Sequence, residues 1–501
     1  CNGNYQMSRI IIQNGNMCEL DLPLKFAQKL YNEFAIRHPN AFYLRTRQRG
    51  MQNWDGKIHY ITKTGQFKIG LLPKVYDMCI EMGIKPKVVD MRQPLPKVSK
   101  VVTNIGKYKL RPEQEKAVKA VINNKIGNTP FHIGVLDYTV NAGKTLIMSS
   151  LYLSYKKQLK TLLITNDSDW LNQAREEFKQ YLPGEDITFV QGKVLNWSNF
   201  TIGMVQSISR NMRFYQKELS QIDMVLIDEA DQGGSKQYQN VITRLFNTRI
   251  RIGLSGTIYM SKLAKDRVKN MNLECFFGKV IAEFKLKDSI KKGYSTKTVV
   301  KMVPGKPWYG NWESDCISYK EIYDDSITNC YTAWLMAYNR LLWNLNQGRY
   351  PALVVCKHIA HCENLYKFFK KKLGDAYNIA YVHVNTPSKL RQQIMKDFRE
   401  GKIDILVSTT IIARGKNFPK LRYLLNAASM DSQEKSIQFL GRLVRTDKSK
   451  KKVYLDDLHY PGPYLDRHGK HRKQYYQRQE LKVILLDKLW KKHPNHSLIK
   501  S

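Results

Sequence analysis

Two blocks of the chain alternate short apolar runs with segments of helical periodicity. In the first block, the apolar runs predict strands at residues 131–136, 161–165, 200–204, 224–227 and 250–255. In the second block, strands are predicted at 352–356, 379–384, 403–408 and 423–427, and helices at 362–373, 390–399 and 432–443. Apolar strands that alternate with helices indicate parallel sheets covered on both faces. We therefore predict an α/β fold with two parallel-sheet domains in tandem.

The segments outside these blocks have other patterns. Near the N-terminus, a strand is predicted at 10–12, helices at 22–36 and 71–82, and a proline-punctuated linker at 86–98. The last residues are basic and have a helical pattern. The predicted domains are a small N-terminal α/β domain at 1–98, parallel-sheet domains at 99–290 and 291–458, and a basic helical tail at 459–501.

Arginines alternate with other residues between Phe42 and Gly50. If this segment is a strand, Arg45, Arg47 and Arg49 share one face. A turn follows that contains Trp54 and leads into Lys57. A basic stripe beside an aromatic ring suits a nucleic-acid backbone with a stacked base. The alternative is a solvated edge strand that its charges protect from aggregation.

Composition narrows the choice of partners. The chain is 43% hydrophobic and 25% charged, as in soluble globular proteins. Its formal net charge of +39 favours a polyanionic partner, with nucleic acid ahead of an anionic membrane surface. No apolar run approaches the roughly 20 residues that span a bilayer, so we expect no membrane segment. Eight scattered cysteines without C-x-x-C spacing predict reduced thiols in a cytoplasmic protein.

A candidate phosphate-binding loop follows the first strand of the first block. Gly143-Lys144-Thr145 precedes a helical segment, and a helix N-terminus directs backbone N–H groups and a positive dipole end at phosphates. Lys144 would contact the β- and γ-phosphates, and the Thr145 hydroxyl would bind Mg²⁺. Asn141 and Ala142 would complete the loop. Tyr138 stands where the motif usually has its first glycine, so a basic helix start remains the alternative.

Acidic and hydroxyl residues follow two later strands. Asp228 and Glu229 end the apolar run at 224–227, and ligands bind at such carboxyl ends. Asp228 would hold Mg²⁺, and Glu229 would orient and activate an attacking water. Ser255-Gly256-Thr257 ends the next strand. Taken alone, these residues could form a solvated strand end and an ordinary turn.

A fourth signal lies on the helix predicted at 432–443 and just beyond it. Gln438, Gly441, Arg442 and Arg445 have spacings of three and four, which place them on one helical face. Directed at a γ-phosphate, Arg445 would be an arginine finger and Arg442 a second phosphate contact. Two arginines on a helix usually form a solvated face. The order of all four signals along the chain argues against that interpretation.

This ordered set resembles the motifs of superfamily 2 helicases, from about residue 110 to 446. The matching segments are 142–145, 228–231, 255–257, 408–417 and 438–445. The resemblance implies tandem RecA-like domains, ATP and Mg²⁺ as cofactors, and Gln114 as the residue that reads adenine. It also implies nucleotide contacts from Gly415 and Gln438. Thr139, Val140, Asn166, Asp167 and Asn417 depart from the family pattern, but the Lys, Thr, Asp, Glu and Arg residues of the chemistry are present.

Segments 53–57 and 356–361 resemble phage UvsW-type DNA helicases. This implies ATP-dependent remodelling of branched or forked DNA, including branch migration, fork reversal and R-loop unwinding, in phage recombination and replication. The implied nucleic-acid contacts in the two α/β domains are Gln206, Lys357 and Thr409. We expect a monomer in the cytoplasm of a host cell, with phage recombination or replication proteins as partners.

Three alternatives remain open at this point. An RNA helicase is the first, because RNA-remodelling relatives share the Asp228-Glu229-Ala230-Asp231 motif. The second is a non-catalytic, basic DNA-annealing protein, which would not hydrolyse ATP. The third is the motor subunit of a restriction system, although no nuclease motif supports it.

Overall fold

A computed structural model describes residues 8–47, 50–155, 158–166, 168–192, 194–258, 264–305, 318–413, 418–447 and 449–486. The chain divides into two compact units, residues 1–284 and 285–501. Within the described ranges, no helix is long and apolar enough to cross a membrane. The six cysteines in those ranges are free thiols.

The first unit begins with a small mixed sheet of order β5-β2-β1-β6. Its inner strands alternate as a half-buried sheet requires, with Ile10, Ile12, Cys18 and Leu20 turned into the core. The elements of this part are β1 (Arg9–Ile12), β2 (Met17–Asp21), α1 (Leu24–Glu33), β3 (Ala35–Arg37), α2 (Ala41–Arg47), β4 (Lys57–His59), β5 (Gln66–Lys68), α3 (Leu72–Glu81) and β6 (Lys87–Asp90).

The predicted strand at 42–50 is wrong, because residues 41–47 form helix α2. The amide of Leu44 donates to the Asn40 carbonyl oxygen and starts the helix, and alanine, leucine and arginine are good helix formers. Two residues apart on a helix, Arg45 and Arg47 point in nearly opposite directions and do not form a stripe. The guanidinium of Arg47 lies 4.9 Å from the Tyr43 ring centroid. Arg49 lies outside the described residues.

The linker predicted at 86–98 is also only partly correct. Residues 87–90 form β6, which pairs in parallel with β1. Val88 of this strand is buried, so residues 87–90 belong to the sheet. The prolines at 94 and 96 come only after the strand has ended.

The rest of the first unit is built on an eight-stranded sheet of order β14-β13-β15-β12-β16-β17-β11-β18. All neighbours pair in parallel except β13 and β14. The strands of this sheet are β11 (His132–Tyr138), β12 (Thr161–Thr165), β13 (Ile187–Gln191), β14 (Val194–Leu195), β15 (Phe200–Met204), β16 (Met224–Asp228), β17 (Ile250–Ser255) and β18 (Val280–Phe284). Outside it, β7 (Asn104–Ile105) pairs with β8 (Tyr108–Lys109), and β9 (Lys125–Ile126) pairs with β10 (Thr129–Pro130). The helices are α4 (Pro112–Ile122), α5 (Lys144–Ser154), α6 (Ser168–Tyr181), α7 (Val205–Arg210), α8 (Gln216–Ser220), α9 (Lys236–Ile242) and α10 (Ala264–Phe277).

The small sheet and the large sheet of this unit share one hydrophobic core. At their junction, the fully buried guanidinium of Arg251 donates to the carbonyl oxygens of Gly15 and Phe276 and to Asn16 Oδ1. Burial lowers the pKa of Arg251 to about 9. A Cβ on Gly15 would lie 2.5 Å from the Leu245 carbonyl oxygen, so only glycine permits this close contact. The N-terminal part is thus packed tightly onto the large sheet.

The second unit contains a seven-stranded sheet of order β21-β22-β20-β23-β24-β19-β25, in which every pair is parallel. The strands are β19 (Lys297–Pro304), β20 (Ala352–Cys356), β21 (Ile379–Val382), β22 (Ile405–Thr409), β23 (Tyr423–Asn426), β24 (Lys452–His459) and β25 (Val483–Leu485). The helices are α11 (Leu286–Lys291), α12 (Tyr319–Tyr323), α13 (Tyr331–Leu345), α14 (Ile359–Leu373), α15 (Ser388–Glu400), α16 (Gln433–Leu443) and α17 (Leu465–Arg478). The predicted parallel-sheet fold is confirmed in both units.

The predicted basic helical tail is partly a structural element of this sheet. Helix α17 buries Arg472 completely, where it forms an ion pair of 2.8 Å with the fully buried Asp457. The hydroxyl of Tyr476 donates to the same carboxylate. Strand β25 then pairs with β19 at the edge of the sheet. The basic composition of residues 459–501 gave no indication that aromatic and arginine side chains of this segment pack into the core.

Candidate functional site

The candidate phosphate-binding loop connects β11 to α5. Its backbone is left-handed at two points, with φ of +64° at Asn141 and +72° at Gly143. Gly143 is the N-cap of α5, and no side chain caps the helix. The first turn therefore presents its N–H groups to a ligand. Lys144 and Thr145 lie in that turn and are half-buried, as the sequence predicted for a phosphate site.

Gln114 braces this loop. Its side chain is fully buried and donates from Nε2 to the Ala142 carbonyl oxygen at 2.8 Å, while its Oε1 accepts from the backbone N–H of Arg111. Arg111, which was not among the predicted site residues, donates from Nη2 to the Asn141 carbonyl oxygen at 2.9 Å. A Cβ on Gly143 would lie 2.2 Å from Gln114 Nε2. The role of Gln114 in reading adenine stays a prediction.

The order of the strands gathers the other candidate residues next to this loop. Strand β17 lies between β11 and β16, with Ser255 opposite Asp137 and Asp228 opposite Leu254. Neighbouring strands are about 4.8 Å apart, which places the end of β16 about 10 Å from the end of β11. A Cβ on Gly256 would lie 3.1 Å from the Thr139 Cα. The loops after the three strands therefore form one site.

The acidic loop after β16 is tied to the end of β17. Glu229 has a left-handed backbone with φ of +53°, and a short 3₁₀ turn at 230–232 follows it. The Ser255 hydroxyl donates to Asp231 Oδ1 at 2.7 Å and accepts from the Thr257 N–H at 3.1 Å. Asp231 was not among the predicted site residues, although its place in the Asp228–Asp231 motif could have indicated it. The bond holds the loop that carries Glu229 against β17.

The residues of this site fit a nucleoside triphosphate with Mg²⁺. No group of three or more His, Cys, Asp or Glu side chains forms a metal cage among the described residues. Magnesium needs no such cage, because one or two protein oxygens and the substrate phosphates usually complete its shell. The Thr145 hydroxyl and the Asp228 carboxylate, which is 6% exposed, would supply protein oxygens to the ion.

A hydrogen-bonded chain leads from Gln206 to the acidic loop. Gln206, at the start of α7, donates from Nε2 to the Asn166 carbonyl oxygen at 3.4 Å. Asn166 donates from Nδ2 to Gln232 Oε1, and Gln232 ends the 3₁₀ turn that follows Glu229. The nucleic-acid role of Gln206 stays a prediction, but only Asn166 separates this residue from the acidic loop.

In the second unit, the structure brings two predicted nucleic-acid residues to adjacent strand ends. Cys356 and Thr409 pair at the ends of β20 and β22, so the predicted residues Lys357 and Thr409 lie at neighbouring strand ends. Thr410 directly follows Thr409. The Lys357 ammonium lies 4.0 Å from the Tyr319 ring centroid, and burial lowers its pKa. Lys435 at the start of α16, which was not predicted, donates to the Thr410 hydroxyl at 3.2 Å. Gly415 lies outside the described residues.

Helix α16 carries Gln438 and Arg442 but not Arg445, because it ends at Leu443. The expectation that these residues share one helical face is therefore wrong for Arg445. Thr296 stabilises the turn by donating its N–H to the Val444 carbonyl oxygen and its hydroxyl to the Arg445 carbonyl oxygen. All three candidate side chains, those of Gln438, Arg442 and Arg445, are half-buried.

The buried ammonium of Lys450 also stabilises the end of α16. Its Nζ donates to the carbonyl oxygens of Leu443 and Leu421, at 3.0 and 3.1 Å. Burial lowers the pKa of Lys450 to about 8; the nearby Arg422 acts in the same direction and Asp447 opposes it. The cation at a helix C-terminus is favourable, so Lys450 fixes the turn that leads from Arg442 to Arg445.

Two of the N-terminal nucleic-acid candidates, Arg45 and Lys57, line a surface groove of about 590 Å³ between α2 and the turn before β4, and Trp54 does not line it. Arg37, Arg45 and Lys57 contribute positive charge to it, and Phe42 at its edge is 80% exposed. Trp54 is half-buried and donates from Nε1 to the Lys57 carbonyl oxygen at 2.9 Å. The exposed aromatic ring of this groove is thus Phe42 and not the predicted Trp54.

Two family models match the chain, one in each unit. The model described as type III restriction enzyme, res subunit, matches residues 107–260. The model described as helicase conserved C-terminal domain matches residues 335–447. The first match covers the phosphate loop and the acidic loop, and the second covers α16. Each half of the predicted motif set thus falls within a separate helicase-related domain.

Known proteins resemble the chain over most of its length. "Putative helicase 22" of Sulfolobus islandicus filamentous virus is 23% identical over 70% of this chain and 64% of its own length. The ATP-dependent DNA helicase uvsW of Enterobacteria phage T4 is 22% identical over 81% of this chain and 82% of its own length. The structure of Saccharomyces cerevisiae Dbp5 bound to RNA and ADP BeF3 has 14% identity and a TM-score of 0.52, and the match covers 77% of this chain and 92% of that one. The chain spans less than two thirds of the first relative. Together, the matches support tandem RecA-like domains.

Substitution of Gly143 tests the phosphate loop. We expect Gly143→Ala to weaken binding of a fluorescent ATP analogue about tenfold or more, because the added Cβ displaces the Gln114 amide from the Ala142 carbonyl oxygen. Gly184→Ala is the matched control, since Gly184 has φ of +81° but no atom within 4 Å of the added Cβ. Equal affinity in the two variants would contradict the role of this brace.

The pH dependence of stability tests the Lys450 contact. The pKa of this ammonium in the folded chain is lower than in an unfolded one, so the unfolded chain binds more protons between about pH 8 and 10.4. The free energy of unfolding of the wild type should therefore rise with pH relative to Lys450→Met, by up to about 1.4 kcal/mol per pH unit in that window. Denaturant titrations measure this difference. Lys451 is exposed, so the difference in unfolding free energy between the wild type and Lys451→Met should not change with pH in this window.

Proposed function

We propose that this chain, which belongs to superfamily 2 of the helicases, hydrolyses ATP to translocate on DNA and remodel branched or forked structures. The observation that carries the proposal is the joint placement of the Gly143 loop, Asp228, Glu229 and Ser255 at neighbouring strand ends. A loop that binds phosphates beside an acidic strand end is the arrangement that phosphoryl transfer to water requires. The +39 formal charge supports a polyanionic substrate.

ATP is proposed to bind with its β- and γ-phosphates at the first turn of α5. Lys144 would neutralise phosphate charge, and Thr145 and Asp228 would hold Mg²⁺, which supplies further neutralisation of the phosphate oxygens. Glu229 would orient a water for attack on the γ-phosphorus and accept its proton. The bond from Ser255 to Asp231 supports this role, because it restrains the loop that carries Glu229.

Arg442 and Arg445 are proposed to stabilise the negative charge that develops on the γ-phosphate. Such arginine contacts contribute a factor of roughly 10³–10⁵ to phosphoryl transfer. The contacts of Thr296 and Lys450 with the end of α16 support this, since they restrain the backbone between the two arginines. The roles of Gly415 and Gln438, and the division at 98, 290 and 458, stay predictions.

The nucleic-acid contacts are proposed to lie at Gln206 in the first unit and at Lys357 and Thr409 in the second. In the N-terminal part, Arg45, Lys57 and Phe42 would bind a further segment. The hydrogen-bonded chain through Asn166 supports coupling between DNA at Gln206 and hydrolysis at Glu229. We propose that the protein acts in the cytoplasm of a host cell, in phage recombination and replication, where it acts as a monomer.

The type of nucleic acid that stimulates ATP turnover tests this function. Turnover should be measured with single-stranded, duplex, forked and four-way DNA, and with duplex RNA, at equal nucleotide concentration. We expect forked and four-way DNA to stimulate most. Stimulation by RNA alone would favour an RNA helicase, which the Asp228–Asp231 motif also suits. A chain without ATP turnover, in which Lys144→Ala changes nothing, would instead be a DNA-annealing protein.

The arginine assignment has its own test. We expect Arg445→Ala to reduce DNA-stimulated ATP turnover by roughly 10³-fold or more, with DNA affinity close to that of the wild type. Arg399→Ala, at the exposed C-terminal end of α15, is the control for loss of one positive charge. If Arg445→Ala and Arg399→Ala have equal turnover, Arg445 is not an arginine finger.

A further inference from the structure

One surface of the second unit concentrates cations around an aromatic pair. Trp343, near the end of α13, is 41% exposed, and its ring centroid lies 4.7 Å from Lys301 Nζ, 5.0 Å from the Arg340 guanidinium and 4.7 Å from that of Arg349. Arg349 also stacks on Tyr454 at 3.5 Å, and Lys452 Nζ lies 5.6 Å from the same ring. These six residues are called the Trp343 patch.

The Trp343 patch lies apart from the proposed strand-binding residues of the same unit. Lys301 and Asp456 are cross-strand partners on β19 and β24, and α13 covers this face through Arg340. Lys452 is the first residue of β24. The strands of this sheet are parallel, so Lys452 lies at the amino end, whereas Thr409 and Lys357 lie at the carboxyl end.

The cations of the patch exceed its acidic partners. The carboxylate of Asp456 is 1% exposed and accepts from Arg340 Nε and Nη2, at 2.9 and 2.6 Å. Within the part of the chain that the structure describes, no ion pair joins a carboxylate to Lys301, Arg349 or Lys452. Burial lowers the pKa of Lys301, and Arg340, Arg349 and Lys452 lower it further, against the attraction of Asp456. An added anion would relieve this repulsion.

The geometry favours phosphate over bases as that anion. Guanidinium groups stacked on aromatic rings keep their in-plane N–H donors available, and these donors match phosphate oxygens. Arg349 is already oriented, because its Nη1 donates to Asn344 Oδ1 at 2.9 Å and its plane covers Tyr454. The cations near the Trp343 and Tyr454 rings leave little room for a stacked base. Contacts of this type do not depend on nucleotide sequence.

We propose that the Trp343 patch binds the sugar–phosphate backbone of a DNA segment, separately from the strand held at the carboxyl ends of the sheet. This inference rests on the proposed function, in that the chain acts on nucleic acid. A protein that remodels branched DNA must hold more than one arm of its substrate. The patch supplies such a second contact along the amino-terminal part of β24, away from the carboxyl ends of the strands.

The double variant Lys301→Gln/Lys452→Gln tests the patch through the salt dependence of DNA binding. The slope of log K against log salt is negative, and each lost phosphate contact reduces its magnitude by about 1. We therefore expect the slope for forked DNA to become less negative by about 2. ATP turnover without DNA should not change. The control is Lys389→Gln/Lys396→Gln, which removes the same charge from exposed positions on α15 beside the far edge strand β21. Its slope should match the wild type.

A second variant separates orientation from charge. Trp343→Leu keeps every cation but removes the ring around which they are arranged, and we expect several-fold weaker binding of forked DNA. If both variants keep the wild-type slope and affinity, the inference is overturned. If the variants lose binding to a poly-glutamate peptide but keep the wild-type salt dependence of DNA binding, the patch binds an acidic protein segment instead. If the wild type binds no nucleic acid, the proposed function itself fails.

Discussion

The hydrogen bond from Gln114 to the Ala142 carbonyl oxygen is the contact on which the candidate nucleotide site depends. A loop with two left-handed residues has many alternative conformations, and a buried amide that bonds two backbone groups selects one of them. The contact explains why Gly143 must be glycine, since a Cβ would occupy the position of the Gln114 amide. Without this brace, the N–H groups of α5 would not converge on one point.

The same site is completed by contacts between loops that follow neighbouring strands. The bond from Ser255 to Asp231 holds the acidic loop, and the close approach of Gly256 to Thr139 joins the end of β17 to the phosphate loop. The chain from Gln232 through Asn166 extends this network to Gln206. These contacts join the strand ends to the loop that carries Glu229.

The sequence predicted the parallel sheets well, because their strands are buried on both faces and appear as continuous apolar runs between helices. The strands at 161–165, 200–204 and 250–255 match the structure in their bounds. The phosphate loop and acidic loop were also predictable, since both follow such strands directly. The segment at 42–50 was not, because alternating arginines imitate a strand, whereas the helix depends on local backbone bonds that begin at Asn40.

Contacts between distant residues could not be predicted from one sequence. Arg251 is bonded to Gly15 and Asn16, and Lys450 to Leu421, but nothing in the spacing of these residues indicates the pairing. The end of α16 at Leu443 agrees with the predicted helix, but the contacts of Thr296 and Lys450 that hold the turn beyond it were not predictable. Local patterns thus predict elements and loops, whereas the tertiary hydrogen bonds that join distant elements are visible only in the structure.

The high positive charge of the chain therefore has more than one physical meaning. Arg251 and Arg472 are fully buried and donate to oxygen atoms of the protein, so they stabilise the fold and are not accessible to a ligand. Lys301 and Lys452 have positive neighbours and no carboxylate in an ion pair within the described residues. The useful distinction is whether the protein already supplies the counter-charge. By that criterion, Lys301, Arg349 and Lys452 of the Trp343 patch differ from the buried arginines, a difference that a count of basic residues does not show.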